Sequence, residues 1–185
     1  IDFIVLAVRP SDSQYVLKEL KHMQFKKNTS IVSVIAGKKI NFYKKNLKHI
    51  KYFFRVMPNM PAAIGESMNC ITANLNVTNE IKKEVIKLFS YSGKTLFFLT
   101  EKEIDMATAI SGSGPGFIFK LIDSMEKAAI KLGFKKSIAQ ILVMQTFKGS
   151  IKFLSKENLS AMELVNLVAT KGGSTEAGLN ILKLN

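Results

Sequence analysis

The sequence predicts an α/β domain built on a parallel sheet, followed by an all-α domain. Three observations carry this. In the first hundred residues, short runs rich in Ile, Val and Phe alternate with stretches of helical spacing. After Thr100 those runs stop, and apolar residues recur at helical spacing instead. No apolar run reaches the roughly 18 residues that a membrane-spanning helix needs. The boundary is placed near Thr100, giving domains 1–100 and 101–185.

Each element has its own local reason. Residues 2–8, Asp-Phe-Ile-Val-Leu-Ala-Val, are nearly all apolar and read as a strand covered on both faces, ended by Pro10. Ser11 and Asp12 are candidate caps for a helix over Gln14–Met23. Ser30–Ile35 is a second strand, ended by Ala36-Gly37, and a Lys-rich helix or loop follows. Tyr52–Met57 is a third strand, stopped by Pro58, and Ser67–Thr72 a fourth. Asn79 is the expected cap of a helix reaching Tyr91. Gly93 leads into a fifth strand, Lys94–Leu99. Beyond the boundary, Gly116–Leu132 carries apolar residues at helical spacing, with Gly133 at the position just past its end. Ser137 is the expected cap of a helix to Leu154. Its apolar residues cover too much of the circumference for one buried face, which implies a fully enclosed helix or a second protein surface. Two shorter helices, 161–169 and 174–184, follow.

Composition narrows the function classes. The chain has 185 residues and a net charge of +13. Of its 27 basic residues only Arg9 and Arg55 are Arg. Bidentate phosphate and base contacts favour Arg, and the lysines are scattered, so nucleic acid is not the expected partner. Residues 1–100 carry most of the positive charge, which favours an anionic cofactor there over the second half. On charge alone a solvated lysine-rich surface is the simpler explanation. The lone Cys70 excludes an internal disulfide framework and fits a reducing cytoplasm. His22 and His49 sit in Lys-rich polar stretches, and no Cys/His/carboxylate cluster has metal-ligand spacing. An enzyme with neither metal nor activated nucleophile draws its reactivity from a cofactor.

Two glycine-rich blocks and three strand ends carry candidate chemistry. Ser111-Gly-Ser-Gly-Pro-Gly116 is neither a Walker A loop nor a dinucleotide fingerprint, because its glycines fall at 112, 114 and 116 with no Lys after them. One reading is helix initiation, with Ser113 as cap and Pro115 in the first turn. The other is a backbone stripped of side chains so that a ligand comes close. Gly172-Gly173-Ser174-Thr175 opens a helix whose N–H groups and hydroxyls would receive a carboxylate, or simply cap it. Val8-Arg9-Pro10, Ile35-Ala36-Gly37 and Arg55–Pro61 each follow a strand, where ligands bind in open α/β sheets.

These pieces, in this order, resemble pyrroline-5-carboxylate reductase. The similarity runs along the whole chain through "LAVRP", "VSVIAG", "RVMPNMPAAIGE", "ATAISGSGPGFIF", "QTFKGS" and "TKGGSTEAGL". The resemblance implies a Rossmann-type NAD(P)-binding domain followed by a helical domain that interlocks with a second copy. It implies hydride transfer from NADPH or NADH to the C=N bond of 1-pyrroline-5-carboxylate, giving L-proline. Ala7, Val8, Arg9, Pro10, Val34 and Ala36 match cofactor-lining positions. Glu101, Gly172, Gly173, Ser174 and Thr175 match substrate positions, with Thr175 at the ring nitrogen as the catalytic contact and the N–H groups of 173–175 on the carboxylate. No metal is implied. Lys171 stands where the family usually has Pro, Thr170 where it often has Ser, and Gly116-Phe117 where it has Ala-Tyr. The family's G-x-G-x-x-G turn is not in these residues, so the sheet is expected to be incomplete and cofactor binding weak. Two rivals stand beside this reading. A β-hydroxyacid dehydrogenase-like reductase would need a catalytic Lys on a second-domain helix, such as Lys120 or Lys127, and the GGST block speaks against it. A non-catalytic fragment or decayed gene product would keep only dimerisation, through residues 117–154.

Overall fold

The computed structural model describes residues 3–183. Five strands form one sheet in chain order: β1 (Phe3–Leu6), β2 (Ser30–Ser33), β3 (Tyr52–Met57), β4 (Ser67–Ala73) and β5 (Gly93–Phe97). β1 and β2, β2 and β3, and β4 and β5 pair in parallel. The β3–β4 pair is antiparallel, which corrects the expectation of a wholly parallel sheet. The reason is the length of the link, residues 58–66. A parallel return needs a crossover of about a dozen residues or more. This link holds only a short 3₁₀ turn, Met60–Ile64, closed by Gly65 at φ +76°. The start expected for β1, at Asp2, lies outside the described residues. β1 is an edge strand with Val5 45% exposed, so it is not covered on both faces as its composition implied.

Alternate residues of the central strands face opposite layers. Ile31 and Phe53 pack with Leu17 and Leu20 of α1 (Ser13–Lys21) and Tyr43 of α2 (Ile40–Asn46). Val32 and Phe54 pack with Val85 of α3 (Asn79–Ser90) on the other face. The Lys-rich stretch after β2 is thus a helix over Ile40–Asn46, followed by a short link to β3. Two expected caps shift. Asp12 is already in the right-handed helical region and makes no side-chain cap, while Ser13 Oγ donates to the Pro10 carbonyl. Thr78, not Asn79, is the extended residue before α3, and its Oγ1 accepts from Ile81 N.

The chain divides into two compact units, the first running to Phe119 and the second from Lys120. The strands end at Phe97, yet α4 (Glu101–Ala107) stays with the sheet through an ion pair from Asp105 to Arg55 of β3. Thr100 and Glu103 close α4 with a reciprocal capping box. After α4 the chain makes one π-helical turn, Thr108–Gly112, and continues as α5 (Gly114–Lys131).

In the second unit, α5 ends as Gly133 implied. Gly133 has φ +102°, its N–H bonds Ile130 O, and Phe134 N–H bonds Ala129 O, the paired bonds of a Schellman ending. α6 (Lys136–Leu154) starts before Ser137: Lys135 is the extended residue at its head, and no side chain caps it. On α6 only Ala139 and Val143 are buried, while Ile141, Met144, Ile151 and Phe153 are each more than half exposed. The helix is therefore not enclosed by this chain, and its apolar face is left exposed. α7 (Ala161–Val168) is capped by Ser160 and Glu163, and α8 (Ser174–Lys183) ends the described chain. The expected end at Leu184 lies outside it. Among the described residues no helix is long and apolar enough to cross a membrane.

Candidate active site

The parallel pairing of β1, β2 and β3 brings their carboxyl ends to one edge of the sheet. Val34 N–H donates to Leu6 O, so the segments after β1 and β2 leave the sheet side by side. Ala7, Arg9, Pro10 and Ala36 are exposed there, and Val8 and Val34 are half-buried. Arg9 O accepts from Asp12 N–H, which turns the chain into α1 at this edge. All six expected cofactor positions therefore share one edge.

At the same edge the Ser-Gly-Ser-Gly-Pro segment passes over the end of β3. It is not a loop and not a capped helix start. Ser113 has φ −84° and ψ −27°, and Ser113 N–H reaches back to Thr108 O, five residues earlier. π turns of this kind gather at functional sites. None of the three glycines has positive φ. A Cβ on Gly112 would sit 3.1 Å from Thr108 Cγ2 and 3.4 Å from the Met57 methyl, whereas Gly114 and Gly116 face open space. Glycine here answers to close packing at 112 and to an unobstructed backbone at 114 and 116.

Behind this edge lies a charged cluster that sequence reasoning missed. Arg55, 4% exposed, sits mid-strand in β3. Its Nη2 is 2.7 Å from Asp105 Oδ1 and its Nη1 3.5 Å from Glu101 Oε1. Glu101 Oε1 also accepts Ile40 N–H, at 2.9 Å, fixing the first turn of α2. The neighbouring Tyr43 hydroxyl lies 2.6 Å from Ser33 Oγ. Burial pushes the Tyr43 phenol above its usual range, against the Ser33 hydrogen bond and the Arg55 charge, which pull it down. The available signal was an arginine in the middle of an apolar strand, since a fully buried cation demands a partner. Which carboxylates answer it cannot be read from one strand. Cys70 is buried as its strand position implied, with Sγ 3.6 Å from Ser111 Oγ.

The Gly172–Thr175 block belongs to the second unit, a different unit from Glu101. Gly172 has φ +77° and its N–H donates to Glu176 Oε2 at 2.8 Å. Gly173 leaves no room for a Cβ, which would stand 2.6 Å from Thr170 Oγ1. The turn therefore needs both glycines, one for conformation and one for space. The N–H groups of Ser174 and Thr175 open α8, where no preceding helical carbonyl is in register for them. Thr175 also borders a cavity of about 300 Å³ within the second unit, with Ser150, Leu154, Leu164, Val165 and Leu179. Among the described residues no group of His, Cys, Asp or Glu is arranged to hold a metal.

The sheet and helical units together define the class: a Rossmann-like α/β domain followed by a helical dimerisation domain. The second part matches the family described as pyrroline-5-carboxylate reductase dimerisation, over residues 101–185. Along nearly the whole chain the sequence is 36% identical to pyrroline-5-carboxylate reductase of Aquifex aeolicus, over 98% of this chain and 67% of that protein. It is 32% identical to pyrroline-5-carboxylate reductase 2 of Bacillus subtilis, over 98% and 64%. The crystal structure of Plasmodium falciparum pyrroline carboxylate reductase with NADP bound superposes with a TM-score of 0.91 at 32% identity, covering 100% of this chain and 69% of that one. That of 1-pyrroline-5-carboxylate reductase from Streptococcus pyogenes gives 0.86 at 31%, covering 99% and 68%. The chain belongs to the pyrroline-5-carboxylate reductase family of oxidoreductases. It spans about two thirds of the length of the relatives it matches.

Proposed function

We propose that this protein reduces the C=N bond of 1-pyrroline-5-carboxylate to give L-proline, using NADPH or NADH. The observation that supports it most is the match of the whole of this chain to 69% of the NADP-bound reductase, with the expected cofactor positions on one sheet edge. The NADP in that relative favours the phosphorylated cofactor here. The residues present fit part of a dinucleotide site, exposed segments at the carboxyl ends of parallel strands, the usual place for such ligands. The G-x-G-x-x-G turn that would hold the pyrophosphate is not among these residues, so binding by them alone is expected to be weak. Ala7, Val8, Arg9, Pro10, Val34 and Ala36 would hold it. When bound, the reduced nicotinamide supplies the hydride.

The chain's own residues do the rest. The N–H groups of Ser174 and Thr175 receive the substrate carboxylate at the positive end of α8, while that of Gly173, which the resemblance also offered, is committed to Thr170 O. The Thr175 hydroxyl hydrogen-bonds the ring nitrogen, which gains an electron pair as the new C–H bond forms and the C=N π bond breaks. One proton and one hydride are taken up for each proline formed. Glu101, held by Ile40 N–H and Arg55, presents a carboxylate whose position is fixed before substrate arrives. Such a site works by orientation, since the imine needs a positioned hydride and a polar contact at nitrogen. The protein is a homodimer or an assembly of dimers through the exposed apolar faces of α5 and α6.

The test follows oxidation of NADPH and NADH with 1-pyrroline-5-carboxylate and detects proline. Thr175→Val, which keeps shape and loses the hydroxyl, is expected to lower kcat/KM roughly 10- to 100-fold, as for about 1.5–3 kcal/mol. Thr175→Ser restores most of it. Proline formation that is indifferent to both substitutions removes Thr175 from the mechanism. No turnover of this imine by a folded dimer that binds NADPH removes the substrate assignment.

A further inference from the structure

Ser111 lies in the π turn, and its carbonyl has lost its ordinary helical partner. The N–H four residues on would belong to Pro115, which has none. The next N–H, that of Gly116, is committed to Ser113 O at 3.0 Å. Ser111 O is not left unpaired: Asn59 Nδ2 donates to it at 2.9 Å from across the end of β3. The Asn59 amide has one possible orientation. Its Oδ1 accepts Met68 N–H at 3.0 Å, which leaves the NH₂ facing Ser111; the Ser67 hydroxyl proton, 3.2 Å from the same oxygen, has a shorter acceptor in Asn69 Oδ1 at 2.8 Å. Its backbone N–H is held too, by Ser67 Oγ at 3.2 Å. Asn59 thus ties three pieces together: the end of β3, the start of β4, and the carbonyl that Pro115 orphans.

We infer that Asn59 is a positioning residue for the reduction, setting the Gly112–Gly116 backbone at the carboxyl edge of the sheet. This inference rests on the function proposed above. Pro115 and Asn59 act as a complementary pair, one removing a hydrogen bond and the other replacing it from a neighbouring element. The replacement bond fixes where the bare backbone of Gly114 and Gly116 stands. A helix satisfied by its own N–H at position 115 would lack that external tether. The hydrogen bonds of Asn59 go to Ser67, Met68 and Ser111 and not to the six cofactor positions, so its loss is expected to act on productive approach of the imine more than on dinucleotide affinity.

The experiment combines kinetics with hydrogen exchange on the intact protein. Asn59→Asp keeps the acceptor for Met68 and turns the donor into a second acceptor facing Ser111 O. It is expected to lower kcat/KM for the imine about tenfold or more, with the KM for NADPH changed less than about twofold. Asn59→Ala in a Pro115→Ala background, where an N–H is again available to Ser111 O, is expected to lose several-fold less than Asn59→Ala alone. Strictly additive losses in that cycle overturn the pairing. Exchange at Ser113–Phe117, read by mass spectrometry, is expected to accelerate in Asn59→Ala while β2 and β3 keep wild-type protection. Unchanged exchange in that segment overturns the inference whatever the substrate proves to be. Faster exchange in a protein that does not turn over this imine would instead sink the proposed reaction and leave the tether standing.

Discussion

Replacing Gly93 with Ala should damage both the sheet and the site, and the structure sets the size of the effect. Gly93 starts β5 with φ +144°, a region closed to residues with a Cβ. A Cβ built there would overlap the Ser67 backbone, its opposite number in the β4–β5 ladder. Backbone strain of that kind costs about 1–3 kcal/mol. Separating the strands also breaks the Ser67 N–H to Ser92 O bond, 2.8 Å long, for about 1 kcal/mol more. A total of about 2–4 kcal/mol corresponds to a fall in Tm of roughly 8–16 °C for a unit of this size. Ser67 also supplies the hydroxyl that bonds Asn59, so displacement of β4 reaches Ser111. The control is Gly37→Ala, where φ is +73° but nothing lies within 4 Å of the new Cβ. It should cost only about 1 kcal/mol. Calorimetry on the two variants decides the matter: equal falls in Tm would refute the steric argument, and a stable Gly93→Ala protein would refute the placement of β5.

Three further outcomes are expected. Asp105→Ala leaves the buried Arg55 guanidinium with only the longer Glu101 contact, and should cost about 2 kcal/mol in chemical denaturation; no loss would mean that solvent replaces Asp105 freely. Bonds from the Ser160 hydroxyl and N–H hold the Glu163 carboxyl below its usual value of 4.5, so its capping contribution is complete above about pH 4.5 and lost as pH falls through the lowered value; the Tm difference between wild type and Glu163→Gln should shrink over that descent. Ile141→Glu, on the exposed apolar face of α6, should shift sedimentation from dimer toward monomer; an unchanged dimer would move the interface off this face.

The sequence by itself determined the order of the five strands, most of the helices and the family, but not α4 or the π turn after it, and it left α2 open. Apolar runs of five or six residues ended by Pro or Gly are local signals, and the Gly133 ending and the Gly172 turn depend on conformations that few other residues adopt. The candidate cofactor positions came from the family resemblance; the structure adds that they lie together, because parallel strands put their carboxyl ends on one edge. Tertiary structure alone decided the rest. The β3–β4 link is too short to cross over, and only strand pairing turns that into an antiparallel hairpin. The caps moved to Thr78 and Lys135 because the extended residue before a helix is set by the path of the chain, not by the best capping side chain nearby. Arg55 announced a need for carboxylates, but Glu101 and Asp105 stand 46 and 50 residues away in sequence. Pro115 showed in the sequence which N–H is missing, while only the folded sheet brings Asn59, 52 residues away from Ser111, to the carbonyl left behind. Partners that far apart meet through packing, which a one-dimensional pattern does not encode.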